Sequence, residues 1–585
     1  MTFDPHDPSA QLREDDACAL TDHPAGTRAD EYAVDLYTVA DYLLDRLVEL
    51  GVDSMFGVPG DVTLGFLDHV EAHPDIDWVG TATELGAGYA ADGYARLRGV
   101  GVVCTTFGVG ELSAVNAIAG AYAELVPVLH VVGAPTMSVQ AQGRAVHHSL
   151  GDGDFEHTAR MSAEVSAACA ILNGTDDAGE IDRVLATMIA QSRPGYLSIP
   201  ADVASSPCTP PRGPLAIGRP VSDRTALRRF ACAARTLLAD RSPVVLADIV
   251  VHRAGAQREL DRLIQMRGLR YASLLWGRRV VDESGAGYLG VYLGEPSEPS
   301  VRVAVEGAPV LVTVGVQITD LISGGFSDRL DANPRIDIRP HTAVVDGEVF
   351  DYIEMRDALV ALTDLLAHVT PTEASSVEHL TPAVLSSDAP LTQGELWALV
   401  TESLTLADTV FAEQGTSFYG MAAQRLPHGA TIVGQPLWAS IGYTLPAMMG
   451  AALAAPDRRP VLLIGDGAAQ MTAAELGTII RLGIPAVIVV VNNNGYTVER
   501  AIHGPTKAYN DIARWQWTQL PYVLGATSAT VATHFVTSSG QLADALDDAA
   551  EHPGRLTLIE AVTAALDVPP TLEAVAAAAA AATAR

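Results

Sequence analysis

Basic residues are scarce in this chain. Lysines and arginines number 37 against 70 aspartates and glutamates in 585 residues, and Lys507 is the only lysine. The formal net charge of −33 repels polyanions, so we expect neither nucleic acid nor an anionic membrane surface as a partner.

Long apolar runs and paired cysteines are also lacking. No 18-residue apolar stretch free of charge occurs outside a weakly hydrophobic alanine-rich tail, and the N-terminus has no basic segment leading into an apolar one. This disfavours a membrane span and a secretory signal. Five cysteines lie singly, without metal-ligand spacing, which is typical of a reducing cytoplasm, where we expect the protein to reside.

The length predicts about three domains. Strand and helix patterns alternate over 32–206, 215–369 and 391–568, which indicates an α/β fold of doubly wound parallel sheets. A proline-rich linker covers 207–214 and a second linker covers 370–390. We expect residues 1–31 to be a disordered tail and 569–585 to be an alanine-rich helix or tail.

Residues 460–500 form a strand–helix–strand unit that carries the most informative motifs of the chain. An apolar run at 460–464 ends at Gly465-Asp466-Gly467, a helical pattern spans 472–482, and a second apolar run at 486–491 ends in an Asn-rich turn. This unit predicts a right-handed parallel crossover, so both breaks should lie at the carboxyl edge of one sheet.

That edge offers hard oxygen ligands. Asp466 supplies a carboxylate, Asn493 follows it by 27 residues with an amide oxygen, and Gly495 adds a backbone carbonyl. Three such oxygens suit Mg²⁺, which usually completes its octahedron with phosphate and water. The plain alternative is an ordinary α/β turn followed by an Asn-rich turn; the spacing and the flanking strands favour a metal–diphosphate site.

The GDG and NN motifs at this spacing resemble the thiamine diphosphate (ThDP) fold family. The continuation Gly-Tyr-Thr-Val-Glu-Arg at 495–500 resembles its 2-keto acid decarboxylases, most of all the indolepyruvate, branched-chain and broad-range members. The resemblance runs from about Tyr32 to about Leu520. It implies a pyrimidine-binding domain (32–206), a central domain (215–369), a diphosphate-binding domain (391–568) and a C-terminal helix that closes over the active site.

The resemblance also implies ThDP and Mg²⁺ as cofactors, and a homodimer or homotetramer. Each active site would be shared between the first domain of one chain and the third domain of another. The metal ligands would be Asp466, Asn493 and Gly495. The predicted coenzyme contacts in the third domain are Gly415, Thr416, Ala439, Ser440, Ile441, Gly465, Asp466, Gly467, Ala468, Ala469, Asn493, Gly495, Tyr496 and Thr497, with Ile441 as the wedge beneath the thiazolium.

Glu84 matches the family glutamate that hydrogen-bonds N1′ of the pyrimidine. Its sequence setting alone is ambiguous: small residues follow it at a helix start, where packing would desolvate it, but an N-terminal glutamate is also favoured by the helix dipole. Two family asparagines nearby are here Thr83 and Gly86.

Four further titratable residues match the family's proton carriers: Asp61, His147, His148 and Glu499. From sequence alone, a His-His pair is more typical of a surface loop than of a catalytic site. We expect the two consecutive rings to point to opposite sides of an extended loop, so that one relays protons while the other orients a partner.

Gln414, Phe418, Tyr419 and Val498 are predicted to line the substrate pocket. Val498 stands where pyruvate-preferring relatives tend to carry isoleucine, and one methylene discriminates by about 1–3 kcal/mol. We therefore expect decarboxylation of aromatic and branched-chain 2-keto acids in preference to pyruvate, giving aldehydes and CO₂. The alternatives are a ThDP-dependent carboligase such as an acetohydroxyacid synthase, and a non-catalytic nucleotide-binding protein, which only the weak Gly108-Val-Gly110 fingerprint supports.

Overall fold

The computed structural model describes residues 36–218, 220–239, 241–367 and 388–583. The predicted tail at 1–31 and most of the linker at 370–390 lie outside these residues. Among the described residues, none of the helices combines the length and apolar character needed to span a bilayer.

The first domain is a parallel sheet of six strands in the order β2-β1-β3-β4-β6-β5. Its strands are β1 (Ser54–Gly57), β2 (Asp77–Gly80), β3 (Gly101–Thr106), β4 (Val128–Ala134), β5 (Ala168–Ile171) and β6 (Gly195–Pro200). Its helices are α1 (Val39–Glu49), α2 (Leu64–Ala72), α3 (Glu84–Arg98), α4 (Val109–Ala123), α5 (Met137–Ala141), α6 (His157–Ala163), α7 (Asp177–Gln191) and α8 (Ala201–Ala204).

The central domain has a sheet of seven strands in the order β13-β12-β11-β10-β7-β8-β9. These are β7 (Val244–Ala247), β8 (Arg270–Leu274), β9 (Tyr288–Tyr292), β10 (Leu311–Val314), β11 (Arg335–Ile338), β12 (Thr342–Val345) and β13 (Glu348–Asp351). Strands β12 and β13 run antiparallel to their neighbours, so this sheet is mixed at one edge. The helices are α9 (Arg224–Leu238), α10 (Val250–Arg253), α11 (Gln257–Ile264), α12 (Pro299–Glu306) and α13 (Met355–Leu366).

The third domain repeats the strand order of the first: β15-β14-β16-β17-β19-β18. Its strands are β14 (Asp408–Ala412), β15 (Thr431–Val433), β16 (Arg459–Gly465), β17 (Val487–Asn492), β18 (Val531–Val536) and β19 (Leu556–Val562). Its helices are α14 (Gln393–Ser403), α15 (Thr416–Ala422), α16 (Thr444–Ala454), α17 (Asp466–Thr472), α18 (Glu475–Arg481), α19 (Thr497–Ile502), α20 (Leu520–Val523) and α21 (Ser539–Glu551), followed by the C-terminal α22 (Pro570–Thr583). The α/β class and the three-sheet architecture are confirmed.

One local prediction differs from the structure. The helix expected over 472–482 is α18, which begins only at Glu475, and a separate helix, α17, precedes it and begins directly at Asp466. In the central domain, the apolar run 243–251 is likewise a strand only over Val244–Ala247, and α10 begins at Val250. Apolar composition alone does not separate a buried strand from a buried helical turn. The exact domain boundaries remain predictions.

The first and third domains pack through α3 and α16. Gly93 and Gly450 allow the two backbones to approach closely, because a Cβ at either position would overlap Ala447 O or Ala90 O of the opposite helix. This contact fixes the N-terminus of α3, where Glu84 stands, against the third domain.

Candidate active site

A cavity of about 270 Å³ opens at the carboxyl edge of the third-domain sheet. Sixteen of the predicted third-domain site residues line it: Gln414, Gly415, Thr416, Tyr419, Ala439, Ile441, Gly465, Asp466, Gly467, Ala468, Asn493, Gly495, Tyr496, Thr497, Val498 and Glu499. They come from four separate breaks, after β14, β15, β16 and β17. These strands are neighbours in the sheet, so their ends converge at its switch point.

The predicted metal ligands converge at the floor of this cavity. The side-chain oxygen of Asn493 lies 2.7 Å from Gly495 O and 3.3 Å from Asp466 Oδ1. Adjacent oxygens of an octahedral Mg²⁺ site, each 2.0–2.1 Å from the ion, stand about 2.9 Å apart. Without a cation these oxygens repel, and the amide of Asn493 would instead turn its nitrogen toward them. The donor set and spacing therefore suit a small divalent cation.

Asp466 is almost fully buried, at 2% exposure. Burial raises the pKa of its carboxyl to about 6, against the opposing effect of N–H donation from Gly467 and Gly495. A bound cation would favour the charged form that burial alone disfavours.

Arg500 holds the loop that carries Asn493 and Gly495. It belongs to the 495–500 motif, but no role was predicted for its side chain. Its guanidinium donates to Asn493 O at 3.1 Å and to Asn494 O at 2.6 Å. Gly495 has a φ of +135°, and a Cβ there would overlap Asn510 O, so only glycine fits. The predicted carbonyl ligand thus has a fixed position.

Glu413 is a second buried carboxylate on the cavity wall, and it was not predicted. It accepts from Thr444 Oγ1 at 2.6 Å and Thr444 N at 3.2 Å, and from Gln414 N at 3.0 Å. Burial raises its pKa to about 7. These bonds tie the end of β14 to the segment that carries Ala439 and Ile441, the predicted wedge.

The opposite wall is apolar and includes residues that the motifs did not reveal. They are Leu321 from the central domain, Ile502 from α19, and Leu572 and Val575 from α22. Leu572 and Val575 are 1% and 4% exposed. The alanine-rich C-terminal segment therefore covers the cavity with the two large apolar side chains it offers there.

Three predicted site residues of the third domain do not line this cavity. Phe418 is buried beside Gly434, where its ring fills the space a Cβ would need. Ser440 Oγ is hydrogen-bonded to Tyr89 Oη at 2.5 Å, and Ala469 is buried in α17. Of the two aromatic residues predicted for the substrate pocket, only Tyr419 is placed to contact a ligand here.

Asp61, His147 and His148 form an exposed cluster in the first domain, with ligating atoms all within 4.8 Å of one another. His147 Nε2 lies 2.9 Å from Asp61 Oδ2. The expectation that the two rings would point to opposite sides is wrong, since their centroids are 4.6 Å apart. His148 has a φ of +66°, so the chain turns at this residue instead of extending.

Glu84 begins α3 at the carboxyl edge of the same first-domain sheet. Thr83 caps the helix, accepting from Gly86 N at 2.9 Å. Glu84 Oε1 lies 3.4 Å from the point where a Cβ of Gly110 would stand. Neither Glu84 nor the Asp61 cluster lines the third-domain cavity within one chain, so the predicted residues form two groups, one on each domain.

The third-domain cavity fits ThDP and a divalent cation. Besides the converging oxygens, two buried polar atoms on its wall, Gln414 Oε1 and Ser417 Oγ, have no hydrogen-bond partner among the described residues. Gly465 has open space where a Cβ would stand, which leaves room beside the backbone for a phosphate. The fold and this site together define the class of ThDP-binding α/β enzymes.

Comparisons with known proteins agree. The family models for the thiamine pyrophosphate enzyme N-terminal TPP binding domain, central domain and C-terminal TPP binding domain match residues 37–155, 230–363 and 415–561. The chain is similar to an alpha-keto-acid decarboxylase of Mycolicibacterium paratuberculosis, with 53% identity over 536 residues, 91% of this chain and 95% of that protein. An alpha-keto-acid decarboxylase of Mycobacterium tuberculosis is 52% identical over 545 residues, 93% of this chain and 97% of that protein.

An X-ray structure of a protein assigned as a thiamin diphosphate-dependent enzyme from Mycobacterium smegmatis superimposes with a TM-score of 0.75 at 21% identity, covering 90% of this chain and all of that one. This likeness supports the fold alone. The chain belongs to the alpha-keto-acid decarboxylase family of thiamine pyrophosphate enzymes. The family predicted from the GDG, NN and GYTVER motifs is confirmed.

Proposed function

We propose that the protein is a carboxy-lyase that uses ThDP and Mg²⁺ to decarboxylate 2-keto acids to aldehydes and CO₂ without oxidation. The observation that carries this proposal is the convergence of Asp466, Asn493 and Gly495 oxygens beneath a cavity closed by an apolar wall. The family relationship supports it independently.

When bound, the coenzyme supplies the electron sink that decarboxylation requires. Asp466, Asn493 and Gly495 would hold Mg²⁺, and the backbone around Gly465 and Gly467 would receive the diphosphate. Ile441 and Ala439 would contact the ring system. Glu84 would hold a hydrogen bond to the pyrimidine and so set its protonation.

Proton transfer to and from the substrate falls to Asp61, His147, His148 and Glu499. The hydrogen bond between Asp61 and His147 orients one imidazole, and the edge-to-face contact of the two histidine rings places both rings beside the same space. This arrangement suits protonation of a carbon centre, the step that separates an aldehyde-forming enzyme from a carboligase.

The two groups of residues indicate a site that one chain cannot complete. Glu84 and the Asp61 cluster lie outside the third-domain cavity of their own chain, yet the chemistry needs them beside the coenzyme. We infer a homodimer, alone or within a homotetramer, in which the first domain of one chain faces the third domain of the other. We place this assembly in the cytoplasm.

We further propose a preference for aromatic and branched-chain keto acids over pyruvate. One wall of the cavity is apolar and is formed by Val498, Ile502, Leu572, Val575 and Leu321. Burial of a large apolar substrate side chain against this wall is favourable. Pyruvate offers only a methyl group to this wall.

Steady-state kinetics on a panel of keto acids tests the proposal. With Mg²⁺ and ThDP we expect stoichiometric aldehyde and CO₂, and a larger kcat/KM for phenylpyruvate, indolepyruvate or branched-chain acids than for pyruvate. A hydroxy-ketone as the main product would select a carboligase, and no Mg²⁺-dependent ThDP binding would refute the proposal entirely. A kcat/KM for pyruvate above all the larger acids would overturn the preference alone.

A further inference from the structure

We propose that Glu475, a third-domain residue outside the coenzyme cavity, is a positioning residue that sets the place of Glu84. This inference rests on the proposed role of Glu84. It concerns a contact between two distant segments of one chain, the start of α18 and the turn that leads into α3.

The carboxylate of Glu475 accepts hydrogen bonds from the backbone just before Glu84. Its Oε1 accepts from Thr83 N at 3.1 Å and from Thr83 Oγ1 at 3.2 Å, and its Oε2 accepts from Ala82 N at 3.1 Å. Thr478 Oγ1 donates to Oε2 at 3.0 Å. Four donors therefore hold one carboxylate, which is only 1% exposed.

The location of this carboxylate explains how a buried charge is tolerated there. Thr83 is the N-cap of α3, so Glu475 stands at the positive end of a 15-residue helix as a bound anion would. The N–H groups of Thr83 and Ala82, at the N-cap and just before it, donate to Glu475. Glu475 thereby acts as a cap supplied by another domain.

The same helix holds the turn at a second point. Arg481, at the end of α18, donates to Gly80 O at 2.6 Å. Gly80 closes β2, and Glu84 opens α3. The segment between them is thus fixed at both ends by α18, and the direction in which Glu84 leaves the turn depends on that helix.

Gly86 is the sequence feature that makes room for this contact. A Cβ on Gly86 would overlap Glu475 Oε1, so no other residue is accommodated while Glu475 keeps its place. Thr83 thus donates to Glu475 through its N–H and its hydroxyl, and the missing side chain of Gly86 leaves space for the same carboxylate.

The test compares Glu475→Gln, Glu475→Asp and Gly86→Ala with the wild-type holoenzyme. We measure kcat, the ThDP dissociation constant and the rate at which the C2 proton of bound ThDP exchanges with deuterium, which reports on Glu84. For Glu475→Gln we expect exchange and kcat to fall together by about 100-fold, as misplacement by about 1 Å can cause, with ThDP affinity nearly unchanged. Gly86→Ala should shift both rates in the same direction, and Glu475→Asp should retain more activity than Glu475→Gln.

Glu283→Gln is the matched control, because it removes another buried carboxylate, one paired with Arg278 at 2.7 Å in the central domain. It should lower thermal stability without slowing C2 exchange. If Glu475→Gln does not fold, Glu475→Asp and Gly86→Ala decide the question.

Glu84→Gln distinguishes a failure of the proposed function from a failure of the positioning role of Glu475. Exchange at the wild-type rate in Glu84→Gln would refute the proposed function itself. Slow exchange in Glu84→Gln with wild-type exchange in the Glu475 and Gly86 variants would overturn only the positioning role of Glu475.

Discussion

Glu413 makes the stability of the cofactor-free protein depend on pH. Its pKa in the folded chain is about 7, against 4.5 in the unfolded chain, chiefly because it is buried. Between these values the folded state keeps a proton that the unfolded state releases. The free energy of unfolding should therefore fall as pH rises through this window, by about 3 kcal/mol in total.

Glu413→Gln keeps the shape of the side chain but cannot ionise. At pH 4 the wild type should be the more stable protein, because the glutamine nitrogen faces N–H and O–H donors that the carboxyl oxygens accept from. By pH 8 this advantage should shrink by about 3 kcal/mol. If the chain unfolds as one unit, that corresponds to a relative change in Tm of about 2–3 °C.

Thermal unfolding of both proteins, without ThDP or Mg²⁺, from pH 4 to 8 provides the assay. Other groups titrate equally in the two proteins, so their difference isolates Glu413. Parallel Tm curves for wild type and Glu413→Gln across this range would show that the reasoning about this carboxyl is wrong.

Three further changes test the cavity. Asp466→Ala should abolish Mg²⁺-dependent ThDP binding in calorimetry, and unchanged affinity would remove Asp466 from the metal site. Leu572→Ala should cost about 2–5 kcal/mol of packing of α22 and lower kcat without unfolding the chain, whereas full activity would mean that α22 does not close the site. Val498→Ile should lower the kcat/KM ratio of phenylpyruvate to pyruvate by about 10-fold or more, and an unchanged ratio would exclude Val498 as a size filter.

Most of the predicted third-domain residues lie together in the structure because they follow strand ends. Gly465-Asp466 and Asn493-Gly495 sit directly after β16 and β17, and parallel neighbours bring such ends together without further information. Ile441 and Gly415 were predicted instead from the resemblance of their segments to the family.

What the sequence could not predict depends on contacts between distant segments or on single backbone angles. The hydrogen bonds between Glu475 and Thr83 join residues 392 positions apart, and no local sequence pattern predicts such a contact. The two histidine rings meet because of one positive φ at His148, which an extended-loop expectation misses. Leu572 lies in an alanine-rich segment without a motif, and its place in the cavity wall depends on how α22 packs against the third domain.

Coexpression of two inactive variants tests most directly whether the active site is shared between chains. Glu84→Gln removes the proposed pyrimidine contact and Asp466→Ala removes the proposed metal ligand, so each homodimer should be inactive. In a mixed dimer, one site pairs the intact Glu84 of one chain with the intact Asp466 of the other. Random pairing should then restore about a quarter of wild-type activity, and purified mixed dimers with no activity above the two homodimers would contradict a shared site.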